Sequence, residues 1–210
     1  MNKIKFFFVL FLLLPVISFG QELKTGDLLF VLEGGSEFSE AISDATSFSD
    51  SLSFVHVGIL ESDSEKGNIV IEASPEEGVR SISLDEFLNL APKIQGQPGV
   101  VVKRVNVDYP VETTIINAKS YEGQPYDWWY LPDNGKMYCS ELVYESYRDT
   151  KGDRLFTSKP MNFRTSDGSM PDFWIKLFEE LGEPIPEGFP GTNPNDMSQD
   201  PILIEVYKFF

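Results

Sequence analysis

Short apolar runs alternate with stretches of helical spacing along this chain, and glycine, proline and serine punctuate them. "TGDLLFVLE" reads as a first strand, Asp27 to Leu32. After Gly34 and Gly35, "SEFSEAISDATSF" places Phe38, Ala41, Ile42 and Ala45 on one helical face, with Ser36 as N-cap. "FVHVGIL" and "NIVIEA" are two β-rich runs joined by polar "ESDSEKG", the pattern of a hairpin. "SLDEFLNL" predicts a short helix with a capping box of Ser83 and Glu86. "GVVVKRVNV" predicts another strand. A helix should start at Asp108 and Pro110 and run to about Glu122, with Gly123 at its end. Cys139 opens the next helix. "SMPDFWIKLFEELG" is amphipathic, with Ser169 as N-cap, Asp172 in the first turn and Gly182 as the stop. Residues 183–200 are too rich in proline, glycine and asparagine for regular structure, and a loop of that length is functional or mobile. "ILIEVYKFF" reads as a closing strand. Helices and strands mix without regular βαβ alternation, which gives an α+β class.

The hairpin carries the first chemical clue. His56, the only histidine, faces away from Val55, Val57 and Ile59 by strand alternation and shares its side with Gly58 and Leu60. The small Gly58 leaves open space beside the ring. A turn centred near Ser64 places Glu72 directly opposite His56, where a carboxylate can orient the imidazole and favour its charged form.

The N-terminus changes the setting. Lys3 and Lys5, an apolar run from Phe6 to about Ile17, and Ser18 and Gly20 before a cleavage point follow the order of a secretory signal. The run is shorter than the ~18 residues of a membrane span. No cysteine stands at the cleavage point to take a lipid. The expectation is a leader, residues 1–20, and one exported domain, 21–210, secreted or periplasmic, without a stable membrane anchor. Removing the leader's two lysines takes the net charge from −16 to −18, which argues against nucleic acid and anionic membrane partners.

In an exported protein a single cysteine has no disulfide partner, and Cys139 is the only one. A free cysteine is commonly just a small buried hydrophobe. Cys139, His56 and Glu72 together suggest more. A thiol beside an imidazolium and at a helix N-terminus is an activated nucleophile, and the exposed N–H groups there suit a developing oxyanion. A structural zinc normally takes four ligands, with Cys and His predominating, so no metal and no cofactor are expected.

"GQPYDWWY" and "YCSELVYESY" resemble the region before and around the nucleophile of NlpC-type papain-like cysteine hydrolases, through Pro125, Tyr126, Trp128, Cys139, Ser140, Leu142 and Val143. His56 and Glu72 precede the cysteine, as in the circularly permuted, YiiX-like branch. "GDLLF", "HVGI", "IEA" and "YCSELV" match that branch over most of residues 26–147, and "GTNPNDMS" is similar to its tail. The resemblance implies a papain-like core in which the nucleophile helix packs on a small antiparallel sheet or barrel. It also implies Cys139 as nucleophile, His56 as general base and Glu72 as the residue orienting it. Tyr126 and Tyr138 are candidate substrate contacts. Tyr138 departs from the family, standing where cell-wall endopeptidases commonly have aspartate. The implied activity is a cysteine amidase or peptidase acting on amide bonds, with cell-wall peptides as substrate class. The alternatives are a lipid acyl hydrolase or acyltransferase on the same scaffold, and a binding module without turnover.

Overall fold

Six antiparallel strands form one open sheet in a computed structural model that describes residues 22–48, 51–63 and 67–210. The leader-like residues 1–20 and the centre of the first hairpin lie outside the described residues. The strands are β1 (Asp27–Leu32), β2 (Phe54–Asp63), β3 (Gly67–Ser74), β4 (Gly78–Ser83), β5 (Val100–Val105) and β6 (Leu203–Lys208), in the order β6-β5-β1-β2-β3-β4. The sheet does not close, so of the two expected forms, sheet and barrel, it is the sheet that forms. β1 is buried along its whole length, as a strand covered on both faces must be.

Among the described residues six helices accompany it: α1 (Glu37–Thr46), α2 (Leu84–Leu90), α3 (Val111–Ser120), α4 (Cys139–Ser146), α5 (Asp172–Leu181) and α6 (Pro194–Ser198). One face of the sheet, with Phe30, Val57, Ile59 and Ile71, packs under α3 and α4 in the main core. The other, with Leu29, Val31, Leu60 and Val70, is covered by Phe87 of α2. Leu142 and Val143 of α4 are fully buried in the main core, each contributing about 1.5–3 kcal/mol by leaving water. Among the described residues no helix is long and apolar enough to cross a membrane.

Several expected ends shift. α3 spans only Val111–Ser120 behind Pro110, and Gly123 lies three residues past its end in a left-handed turn. α5 is preceded by Pro171 rather than capped by Ser169, which closes a turn with Thr165 and Asp167 instead; Gly182 ends the helix as expected, at φ +69°. Ser83 accepts the N–H of Glu86 at 3.1 Å and so provides the cap of α2. Residues 183–200 are not wholly irregular. Asn193 caps α6, and Pro190–Gly191 pairs with Lys159–Pro160.

Candidate active site

β2 and β3 bring His56 and Glu72 together, though not as direct cross-strand partners. Pairs such as Ile59–Ile71 and Leu60–Val70 set a register two positions from the expected one, which carries Glu72 toward Gly58 rather than His56. A shift of two keeps the carboxylate on the same face, and it reaches the ring diagonally. His56 Nε2 meets Glu72 Oε2 at 2.6 Å. The space over Gly58 is not open either: a Cβ there would strike Val70 and the Phe87 ring, and Phe87 lies against the imidazole with centroids 5.9 Å apart. The lack of a side chain at 58 lets α2 close over the strand.

A bulge fixes the direction of this strand end. Val31 pairs with His56 but Leu32 pairs with Phe54, so Val55 is an extra residue in β2. Such an insertion bends the strand and re-aims its side chains. Val55 consequently borders both cavities at the site.

Arg80, which the sequence reading did not single out, completes the carboxylate's environment. β4 pairs Arg80 directly with Glu72, and its Nε and one terminal nitrogen reach Glu72 Oε1 at 2.9 and 2.8 Å. Glu77 holds the other terminal nitrogen at 2.9 Å. The signal was present in "EASPEEGVR": a short turn ending at Gly78, at φ +73°, folds the chain back so that residues 72 and 80 align. Any Cβ at 78 would collide with the carbonyl of Gln124, to which Val79 donates, so glycine is required there.

Burial opposes charge on both groups of this pair. For His56 the polar contacts and charges of Cys139 and Glu72 outweigh it and raise the ring from 6.5 to about 10. For Glu72 the same burial is outweighed by His56 and Arg80, which hold the carboxyl below its ordinary value. At neutral pH the ring is an imidazolium against a carboxylate. With Nε2 committed to Glu72, Nδ1 is the ring nitrogen left for Cys139.

Cys139 is the first residue of α4, behind Tyr138 in extended conformation. The first N–H groups of such a helix have no partner within it. Glu141 reaches back to the Tyr138 N–H at 3.4 Å. Burial first, then the charge of Asp127, raises the Glu141 carboxyl to about 8. The tail clamps this helix start from the other side. Thr192 donates its N–H to Tyr138 Oη and its hydroxyl to Ser140 Oγ, both at 3.0 Å. The 183–200 segment therefore forms one wall of the groove at Cys139, through Thr192, Asn193 and Pro194. Tyr138 is buried beneath that wall. Tyr126 borders both the groove at Cys139 and the cleft at His56.

The family model of the permuted papain-like amidase enzymes, the YaeF/YiiX or C92 family, matches residues 22–207. The chain belongs to this family. YiiX of Escherichia coli strain K12, described as uncharacterized, is 29% identical over 204 residues, covering 95% of this chain and 94% of its own. The crystal structure titled metalloprotein yiiX from Escherichia coli O157:H7 superposes with a TM-score of 0.69 at 29% identity, covering 88% of this chain and 97% of that one. Among the described residues no three His, Cys, Asp or Glu side chains group to hold an ion, and both Glu72 oxygens are already engaged.

Proposed function

We propose that this amidase-family chain is an exported cysteine amidase or peptidase acting on cell-wall-type peptides, with Cys139 as nucleophile, His56 as proton carrier and Glu72 as its orienting partner. The observation that carries the reading is the imidazolium held at 2.6 Å by Glu72 and raised by Cys139 at a helix start. Cys139 sulfur attacks the amide carbonyl carbon, and the oxygen takes up negative charge facing the N–H groups at the start of α4. His56 gives its proton to the departing nitrogen as the C–N bond breaks, leaving a thioester on Cys139. Water then attacks the thioester, His56 takes its proton, and the sulfur leaves. Tyr126, on the border of both cavities, is placed to touch the substrate on either side of the scissile bond. Tyr138 acts at one remove, through Thr192.

The test is incubation with soluble wall-peptide fragments followed by mass analysis. Cleavage by the wild type that vanishes in Cys139→Ala is expected. Cleavage that survives in that variant sinks the assignment. For export, the mature protein recovered outside the cytoplasm should begin at Gln21; a protein retained inside with residue 1 intact contradicts it.

A further inference from the structure

Two cavities meet at the site, and they divide its chemistry. Cys139 borders one of them. His56 and Glu72 border the other, and Tyr126, Val55 and Ile42 border both. In the proposed acyl transfer the acyl group ends on sulfur, while the leaving nitrogen must lie beside the ring that protonates it. The acyl half of the substrate therefore belongs in the groove at Cys139. The amine half belongs in the cleft at His56, whose border is charged: Glu76, Glu77 and Glu86 stand there with Arg80.

No charged side chain borders the groove. Ile42, Val55, Met161, Phe163 and Pro194 give it apolar walls. Two donors stand among them without acceptors. Trp174 Nε1 is a buried atom with no hydrogen-bond partner, and the Tyr130 hydroxyl, which sits beside the Tyr126 hydroxyl, has no acceptor for its own proton; the residues are only 3% and 8% exposed. The other such atom among the described residues, Glu61 Oε2, is already in an ion pair with Lys119. Buried donors are almost always satisfied, so two unsatisfied ones on one groove wall call for a ligand acceptor.

The backbone supports the same reading. Tyr130 adopts φ +53°, a conformation that is unfavourable for a bulky side chain. Buried Asp127 enforces it by accepting the N–H groups on either side, Trp129 at 3.0 Å and Leu131 at 2.9 Å. Strain maintained by a dedicated clamp is a mark of functional positioning.

We infer that the groove at Cys139 is an acyl-side specificity pocket for an uncharged, largely apolar acyl group bearing an acceptor oxygen, with Tyr130 Oη and Trp174 Nε1 as its donors. The inference rests on the cysteine-hydrolase reading above. It narrows the substrate to amides whose carbonyl side is neutral, whatever the polarity of the amine side.

Acylation of Cys139 by p-nitrophenyl esters tests it, read as p-nitrophenolate release and by intact mass. The sulfur displaces p-nitrophenolate and becomes a thioester. The N-acetylphenylalanyl ester should acylate roughly tenfold faster than the N-acetylglutamyl ester, whose carboxylate has no partner in the groove. Tyr130→Phe and Trp174→Phe should each lower, by about fivefold, the preference for the N-acetylphenylalanyl over the 3-phenylpropanoyl ester, which lacks the amide oxygen. Equal rates for the neutral and charged esters overturn the inference without need of any variant. So does a preference unchanged in both folded variants, or failure of every ester while iodoacetamide still alkylates Cys139 in a His56-dependent way. If iodoacetamide alkylation is the same in His56→Ala as in the wild type, it is the hydrolase reading that fails.

Discussion

Arg80 stands across the strand pair from Glu72 and holds the carboxylate oxygen that His56 does not. The carboxylate is thus fixed from two sides, by a ring whose charge it supports and by a guanidinium that never loses its own.

Removing that guanidinium should loosen the whole relay. Arg80→Ala is expected to cost about 2 kcal/mol in urea unfolding, the scale of a hydrogen bond to a charged group, and to slow iodoacetamide alkylation of Cys139 severalfold. Glu72 lies below its ordinary value, so its contribution to stability is present above pH 4.5 and is lost as pH falls through the lower folded value. In Arg80→Ala the acid limb of the stability profile should therefore move to higher pH. An unmoved acid limb would mean that Arg80 does not act on Glu72.

His56 is the only histidine, so its ring protons can be followed by NMR without assignment. The titration midpoint should lie far above 6.5, toward about 10. A group raised on folding stabilises fully below its unfolded value of 6.5, and that contribution is lost as pH rises through the folded value. Unfolding free energy should decline over that alkaline window and decline less in His56→Gln. A midpoint near 6.5 would break the link between the ring and its two partners.

Glu141 gives the opposite sign for a carboxyl. Raised from 4.5 to about 8, it costs nothing below pH 4.5 and destabilises progressively as pH climbs to 8, because the unfolded chain ionises first. The slope is ~1.4 kcal/mol per pH unit wherever the two states differ by a full proton. Glu141→Gln should remove this slope, and melting curves at pH 5 and pH 8 would reveal it. Parallel pH dependence in the two proteins counts against a protonated Glu141.

Asp127 holds Trp129, Leu131 and the Asn134 amide, all within 3.0 Å. Asp127→Ala should lose about 2–4 kcal/mol, from buried hydrogen bonds to a carboxyl and the release of a left-handed Tyr130. Asp127→Asn, which keeps one acceptor oxygen, should lose less. Urea unfolding ranks the two, and an equal loss would argue that volume rather than hydrogen bonding matters here.

Much of the site was legible because its residues are few in kind. One histidine, one cysteine and a carboxylate of suitable parity leave little choice, and Ser36, Ser83 and Gly182 marked their helix ends through side-chain and backbone chemistry that is local. The hairpin register was not local. Residues 64–66 lie outside the described residues, and pairing was fixed by Ile59 and Ile71 meeting in the core, two positions from a symmetric fold about Ser64. A shift of two is invisible to alternation, which is why the face was right and the partner wrong. β4 escaped notice because "GVRSIS" has a weak apolar signal; its pairing with β3 and the docking of Gln124 on its first residues hold it in the sheet. Tyr130 and Trp174 gave no signal, since an aromatic in a core and an aromatic awaiting a ligand read alike in sequence.

Thr192 on Tyr138 and Ser140, and Asn195 on the Phe54 N–H at 2.7 Å, tie the last part of the chain to the start of α4 and to the bulged end of β2. In a growing polypeptide, those ties cannot form until translation has passed Asn195. A nascent chain already holding His56, Glu72 and Cys139 still has an unwalled groove, so the groove beside Cys139 is completed last. Premature termination before Thr192 would leave the Cys139 thiol without this wall of its groove.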